Sequence, residues 1–252
     1  MTTALQDKVA LVTGSARGIG RAIALRYASL GARVVINYAG NATSARKTVQ
    51  DVEDLGSKAV AIQADVSDVQ ALERLFGESL EVFGKIDIVV ANAGVELIDQ
   101  PLADVTEEQF DRLFSINTKG AFFTLQKAAK HIEDNGRIIY IGSSTTCLPI
   151  PGVGLYGSSK MAPRYTVEVL AQEVGKRGVT VNSIIPTQIE GAGVFAELPD
   201  DDPTRAQNLA MRPLGGRLGS VDDVADAAEY FAGPLSRWVS GQHLLVSGGL
   251  PG

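Results

Sequence analysis

The chain is poor in the residues that build disulfides and metal sites. Its 252 residues include one cysteine, Cys147, and two histidines, His131 and His243, far apart in sequence. A single thiol excludes an intrachain disulfide and fits a reducing compartment. One cysteine and two histidines also leave a structural zinc site of the usual kind short of ligands. No Gly-x-Ser-x-Gly elbow is present, and a Ser-His-Asp hydrolase would have to use one of those two histidines. Positive charge is in short supply: 23 Lys and Arg stand against 29 Asp and Glu, for a net charge of −6. That balance opposes a broad electrostatic footprint for nucleic acid. Long apolar runs are missing too. The stretch Ile86 to Ala91 ends well short of the ~20 residues of a membrane span. The first residues, Met1 to Lys8, lack a basic segment followed by a long apolar run. These absences predict a soluble, cytoplasmic protein with no nucleic-acid or membrane partner.

What is present has the proportions of a globular domain, 45% hydrophobic and 21% charged. Short apolar runs alternate with segments of helical period. Val9–Val12, Val34–Ile36, Ala59–Gln63, Ile86–Ala91, Arg137–Ile141, Val179–Ile185 and Gln242–Val246 read as strands. Gly18–Leu30, Ala42–Leu55, Val69–Phe83, Glu107–His131, Tyr156–Lys176 and Val221–Phe231 read as helices. Strands apolar throughout, each followed by a helix, predict a parallel sheet covered on both faces. The expected fold is α/β: a single doubly wound Rossmann-type domain over residues 1–252 with a seven-stranded parallel sheet. The irregular stretch from Thr187 to Gly219, which includes Pro199 to Pro203, is expected to form a lid.

Thr13-Gly14-Ser15-Ala16-Arg17-Gly18-Ile19-Gly20 follows the first strand and opens the first helix, the context that makes a glycine pattern informative. Gly14 suits a tight turn, Gly18 lets the backbone approach a pyrophosphate, and Gly20 allows close packing. The helix N-terminus offers unpaired N–H groups to phosphate. The spacing is G-x-x-x-G-x-G rather than G-x-G-x-x-G. Further along stand Asp65-Val66 after the third strand, Asn92-Ala93-Gly94 after the fourth, Asn117 in Asn-Thr-Lys-Gly, Ser143 after the fifth, and Tyr156-Gly-Ser-Ser-Lys160. Tyr156 and Lys160 are i and i+4, so on a helix they share a face. A phenol with a pKa near 10 is a poor acid–base group at neutral pH, and a neighbouring ammonium is expected to lower that value.

In these motifs and their order, the chain resembles the short-chain dehydrogenase/reductase family over nearly its whole length. The resemblance implies that Tyr156 donates a proton to a carbonyl oxygen and that Ser143 hydrogen-bonds the same oxygen. The 13-residue spacing to Tyr156 selects Ser143 over Ser144. Lys160 is implied to bind the nicotinamide ribose, and Asn117 to hold a water that relays protons to Lys160. Cofactor contacts are implied at Gly14, Ser15, Arg17, Gly18, Ile19, Gly20, Asn37, Asp65, Val66, Asn92, Ala93, Gly94, Tyr156, Lys160, Pro186 and Ile189, with no metal. A homotetramer is implied as well, built on the helices that begin near Glu107 and Tyr156.

NAD enzymes place an acidic side chain at the end of the second strand. Here that region reads Ile36-Asn37-Tyr38-Ala39-Gly40-Asn41, with no carboxylate. Arg17 stands ready for a 2′-phosphate, so NADPH is expected over NADH. Three features depart from the family: Pro186-Thr187 where Pro-Gly is usual, Pro163 three residues after Lys160, and Ser247 where aspartate is common. The residues flanking the reacting set, such as Val95, Leu97, Leu148, Ile150 and Val153, are mostly apolar, with Glu96 and Cys147 as exceptions. That suits a small hydrophobic carbonyl substrate. Reduction of a 3-oxoacyl group on acyl carrier protein is the alternative. The mixed charges of His131–Asn135, Asp200–Asp202 and Lys176–Arg177 weaken it, because an acidic carrier wants a basic rim. The alternative outside enzymes is a nucleotide-binding regulator, whose kind commonly lacks the Tyr or the Lys.

Overall fold

Strand residues in this chain face two ways, and both faces are covered. In the computed structural model, which describes residues 4–196, 205 and 209–250, β1 (Val9–Val12) is buried at all four positions. Ala10 and Val12 join one apolar cluster and Leu11 the other. The alternation repeats in β2 (Arg33–Tyr38), β4 (Ile88–Ala91) and β5 (Arg137–Ile141). There Val34, Ile88 and Ile139 face one way and Val35, Val89 and Ile138 the other. A period of two turns alternate side chains to opposite faces, so an all-apolar strand needs a helical layer on each. The first layer is α1 (Gly18–Ser29), α2 (Ala42–Asp54) and α7 (Val221–Ala232). The second is α3 (Val69–Phe83), α5 (Ala121–His131) and α6 (Gly154–Val174).

With β3 (Ala59–Gln63), β6 (Thr180–Pro186) and β9 (His243–Val246), the sheet has seven parallel strands in the order β3-β2-β1-β4-β5-β6-β9. The direction of winding reverses between β1 and β4, which opens a crevice at their carboxyl ends, where ligands bind in such sheets. A separate pair, β7 (Ile189–Glu190) with β8 (Gly219–Ser220), brackets the expected lid. The Asp200–Asp202 run of that segment lies outside the described residues. Among the described residues, no helix is long and apolar enough to cross a membrane.

Three details differ from the sequence reading. The fourth strand begins at Ile88, because Asp87 is spent below it on Lys8 (2.9 Å), Lys85 (3.0 Å) and the Val9 amide (2.9 Å). The long helix expected over Glu107–His131 is α4 (Glu107–Leu113), a π-helical stretch over Phe114–Gly120, and then α5. The helix does not start late after Pro163, one of the two expectations for it beside a kink: α6 begins at Gly154 and runs through the proline. Proline supplies no N–H to the carbonyl four residues back, and the Thr118 hydroxyl donates to that Ser159 carbonyl instead, at 2.8 Å. His131–Asn135 and Lys176–Arg177 lie at the amino ends of β5 and β6, where Arg177 pairs with Asp134. They lie away from the carboxyl ends of the strands, so their charges do not bear on a carrier docking there.

Candidate active site

The turn after β1 is held open by its neighbours. Gly14 has φ +63° and Gly18 φ +55°, a region that favours glycine. The Gly14 amide donates to Asn37 Oδ1 at 3.0 Å, and the Ser15 amide to the Asn37 carbonyl at 2.9 Å. Asn37 is buried and its side-chain nitrogen donates to the Ala64 carbonyl at 3.0 Å. It therefore supports the turn from beneath, with its side chain committed to protein. Thr13 Oγ1 accepts from the amides of Asn92 (2.9 Å) and Ala93 (3.0 Å). Asn92 Nδ2 donates to the Thr13 carbonyl at 2.8 Å. A Cβ on Gly20 would lie 2.5 Å from Asn92 Nδ2 and 2.7 Å from the Gly14 carbonyl, so only glycine lets α1 start this close.

Arg17 occupies the N-cap position of α1 in extended conformation, without a side-chain cap. The first amides of α1 thus lack the partner a Ser or Asp cap supplies, and they remain free to meet an anion. The Arg17 side chain is exposed beside them. Ile19 is half-buried next to it. Asp65 and Val66 follow β3. Asp65 is exposed and accepts from the Ser67 amide (2.9 Å) and hydroxyl (2.8 Å), while Val66 is buried against Gly120.

Ser143, just past β5, and Tyr156 and Lys160, early in α6, are all buried. Ser143 Oγ accepts from Thr145 Oγ1 at 3.0 Å. Lys160 Nζ donates to the Ile141 carbonyl at 3.2 Å and lies 6.0 Å from the centre of the Tyr156 ring. Burial brings its pKa down to about 8, against a smaller opposing pull from Glu96. Tyr156 shifts the other way. Burial and the Glu96 carboxylate push it well above an ordinary phenol, while a hydrogen bond with Ser143 works to lower it. The expected lowering of Tyr156 by Lys160 is therefore absent here, because burial penalises both charged forms and a carboxylate faces the phenol.

Asn117 sits in the π-helical stretch and is fully buried. Its Oδ1 accepts from the Val95 amide at 2.8 Å, and its Nδ2 donates to the Val95 carbonyl (2.8 Å) and to Ser159 Oγ (3.0 Å). The side chain thus joins the loop after β4 to α6 and is committed to protein groups. Irregular π turns recur at functional sites, and this one delivers Asn117 beneath Gly94. A Cβ on Gly94 would come within 2.9 Å of Lys160 Nζ. Pro186 ends β6, and Ile189 begins β7, buried. The segment after it, Gly191–Ala192, packs over Gly18. The sequence named two further residues, Thr13 and Glu96, without giving either a role. Glu96 was legible as a carboxylate in an apolar wall, and Thr13 carried no signal beyond its place before Gly14.

A family model described as enoyl-(acyl carrier protein) reductase matches residues 14–251. The hydroxynaphthalene reductase-like protein Arp2 of Metarhizium brunneum is 40% identical over 256 residues, 97% of this chain and 95% of that protein. A short-chain dehydrogenase from Burkholderia cenocepacia, solved in complex with NADP, is 36% identical with a TM-score of 0.90, covering 98% of this chain and 99% of that one. The chain belongs to the short-chain dehydrogenase/reductase family. A third relative of this dehydrogenase/reductase is the promiscuous reductase LugOII, which catalyses keto-reduction at C1 during lugdunomycin biosynthesis. It is 36% identical with a TM-score of 0.90, over 98% of this chain and 99% of that one. The residues of this enzyme fit a nicotinamide dinucleotide. Two left-handed glycines and uncapped helix amides suit a pyrophosphate, and the missing Cβ of Gly94 leaves room beside the buried Lys160 ammonium.

Proposed function

We propose that this short-chain dehydrogenase/reductase reduces the carbonyl of a small hydrophobic ketone or aldehyde with NADPH, reversibly, with Tyr156 as proton donor. The observation that carries the reading is the burial of Ser143, Tyr156 and Lys160 together at the carboxyl ends of the strands, beside the glycine turn. When bound, NADPH supplies the hydride. The Tyr156 hydroxyl gives its proton to the carbonyl oxygen as negative charge builds there, and Ser143 donates a second hydrogen bond to that oxygen. A raised phenol pKa keeps Tyr156 loaded with its proton in the resting protein. Lys160 holds the ribose hydroxyls and returns a proton towards Tyr156. Arg17 faces the 2′-phosphate, with no carboxylate at the end of β2 to repel it. The NADP complex of the Burkholderia relative supports the choice of cofactor, and the keto-reduction catalysed by LugOII supports a ketone.

The reading includes a cytoplasmic homotetramer. Phe110 on α4, Phe122 on α5, and Met161, Tyr165 and Val169 on α6 are exposed, which suits helices that pack against symmetry mates. Light scattering is expected to give about four times 26.5 kDa, and a monomer would remove this part. The function is tested by following NADPH consumption over aryl ketones, aliphatic ketones and a 3-oxoacyl-acyl-carrier protein. Turnover of aryl ketones is expected. Turnover of the carrier substrate alone would move the assignment to the carrier reductase. NADPH binding without turnover of any carbonyl would favour the regulator.

A further inference from the structure

The turn after β5 ties its own serine down from two sides. Ser143 Oγ accepts from Thr145 Oγ1 at 3.0 Å and from the Thr145 amide at 3.3 Å. Thr146 Oγ1 donates to the Ser143 carbonyl at 2.8 Å, and the Thr146 amide donates to it at 3.1 Å. Arg164, one turn beyond Lys160 on α6, anchors the same turn from outside. Its guanidinium donates to the Thr146 carbonyl at 3.0 Å and to Thr146 Oγ1 at 3.2 Å. The short turn Ser144–Thr146 also lies against Gly157, the residue after Tyr156. A Cβ there would come within 3.1 Å of the Thr145 carbonyl and 3.6 Å of Thr145 Oγ1. Thr145 thus sits half-buried where the serine turn meets the start of α6, in a segment held by both elements.

We infer that Thr145 is a positioning residue that aims the Ser143 hydroxyl: it fills the acceptor sites of that oxygen, so that the hydrogen of Ser143 is left to point at the substrate carbonyl. The inference deepens the proposed function and rests on Ser143 being a donor to the reacting oxygen. A hydroxyl carries one hydrogen and two acceptor lone pairs. Thr145 supplies a donor to each lone pair, one from its side chain and one from its backbone. Ser143 then meets a carbonyl oxygen as a donor already turned towards it. The bond it accepts also polarises its own O–H and strengthens what it donates. Threonine suits the task because its branched side chain is stiff about χ1, and Gly157 and Arg164 fix the turn that carries it. Without the Thr145 hydroxyl, one lone pair of Ser143 is vacant and its hydrogen is free to rotate away from the substrate.

Two variants separate the hydroxyl from the shape. Thr145→Val keeps the branched side chain against Gly157 and lacks the donor, whereas Thr145→Ser keeps the donor and lacks the methyl group. Losing an oxyanion donor outright costs about 10²–10³ in rate, and a misaimed one costs part of that. Single-turnover hydride transfer from saturating NADPH to 1-tetralone is therefore expected to slow about 3- to 30-fold in Thr145→Val and to stay within about twofold of wild type in Thr145→Ser. In a Ser143→Ala background, Thr145→Val is expected to cost less than about twofold more, because a residue that works through Ser143 has nothing left to aim. The second measurement is the infrared C=O stretch of carbonyl-labelled 1-tetralone bound together with NADP⁺, a pair that does not react. A hydrogen bond to the carbonyl lowers that frequency. It is expected to rise in Ser143→Ala and in Thr145→Val and to match wild type in Thr145→Ser. A merely structural role for Thr145 predicts the reverse order, with Thr145→Val near wild type and Thr145→Ser impaired. That order, an unshifted stretch in Thr145→Val, or an equal loss on top of Ser143→Ala overturns the inference. Ser143→Ala with the rate and the stretch of wild type refutes the proposed role of Ser143 and this inference with it. If the wild type leaves 1-tetralone unreduced, the proposed function has failed for that ketone, and the stretch alone then decides the aim of Ser143.

Discussion

Replacing Lys160 by methionine is expected to make the substrate-free protein more stable while removing its activity. The Lys160 side chain is buried, and burial lowers its pKa from 10.5 to about 8. At 1.36 kcal/mol per pH unit, keeping that ammonium charged inside the fold costs about 3 kcal/mol at pH 7. Methionine fills a similar volume without a charge. It forfeits the hydrogen bond to the Ile141 carbonyl, about 1 kcal/mol, and some packing precision, under ~1.5 kcal/mol. The net expectation is a gain of about 1–2 kcal/mol at pH 7. The sign of the pH dependence follows from the lowered pKa. Between pH 8 and 10.5 the unfolded chain binds the proton and the folded one does not, so wild-type stability rises with pH across that window. The advantage of Lys160→Met should therefore shrink from pH 7 to pH 10. Urea unfolding of both proteins at one protein concentration and at both pH values measures this. A destabilised variant at pH 7, or a gain equal at the two pH values, would refute the electrostatic account of Lys160.

Arg17→Ala should weaken NADPH by roughly 10- to 100-fold, the loss of about 1.5–3 kcal/mol of charge-assisted hydrogen bonding, while NADH changes less than about twofold. Calorimetric titration of both cofactors checks it, and equal losses would show that Arg17 is not reading the 2′-phosphate. Gly20→Ala forces a Cβ against Asn92 Nδ2 and the Gly14 carbonyl, so it should lose about 1–3 kcal/mol of stability and weaken cofactor binding as the turn shifts. Gly77→Ala, exposed in α3 with nothing within 4 Å of its Cβ, should gain about 0.5–1 kcal/mol. Thermal melts of the pair check both. A neutral Gly20→Ala would mean that the turn is not held by close packing.

The strands were legible because each is apolar at consecutive positions, and the sheet buries them on both faces as that pattern demands. The glycine turn was legible through its place between β1 and α1. The break in the long helix was not, since Phe114–Gly120 has no proline or glycine pair at its start. It becomes π-helical through tertiary contacts, with Asn117 reaching Val95 and Ser159. The fate of Pro163 was hidden for the same reason: its compensating donor, Thr118, is 45 residues earlier. Lys160 was placed correctly beside Tyr156, but their mutual electrostatics depend on burial and on Glu96, neither of which a Tyr-x-x-x-Lys spacing contains. Asn37 stood in a region read for the cofactor's ribose, and its side chain turned out to be tied beneath the turn by Gly14 and Ala64.

The central claim is that Tyr156 supplies the proton that completes carbonyl reduction. Single-turnover hydride transfer from saturating NADPH to an aryl ketone, compared between wild type and Tyr156→Phe, tests it most directly. The phenyl ring keeps the packing against Leu113 and Leu155 and removes only the donor. The account predicts a rate about 10²–10⁴ lower, with the NADPH dissociation constant unchanged within about twofold. A variant that retains more than about a tenth of the wild-type rate, less than the smallest loss expected of a general acid, would contradict it.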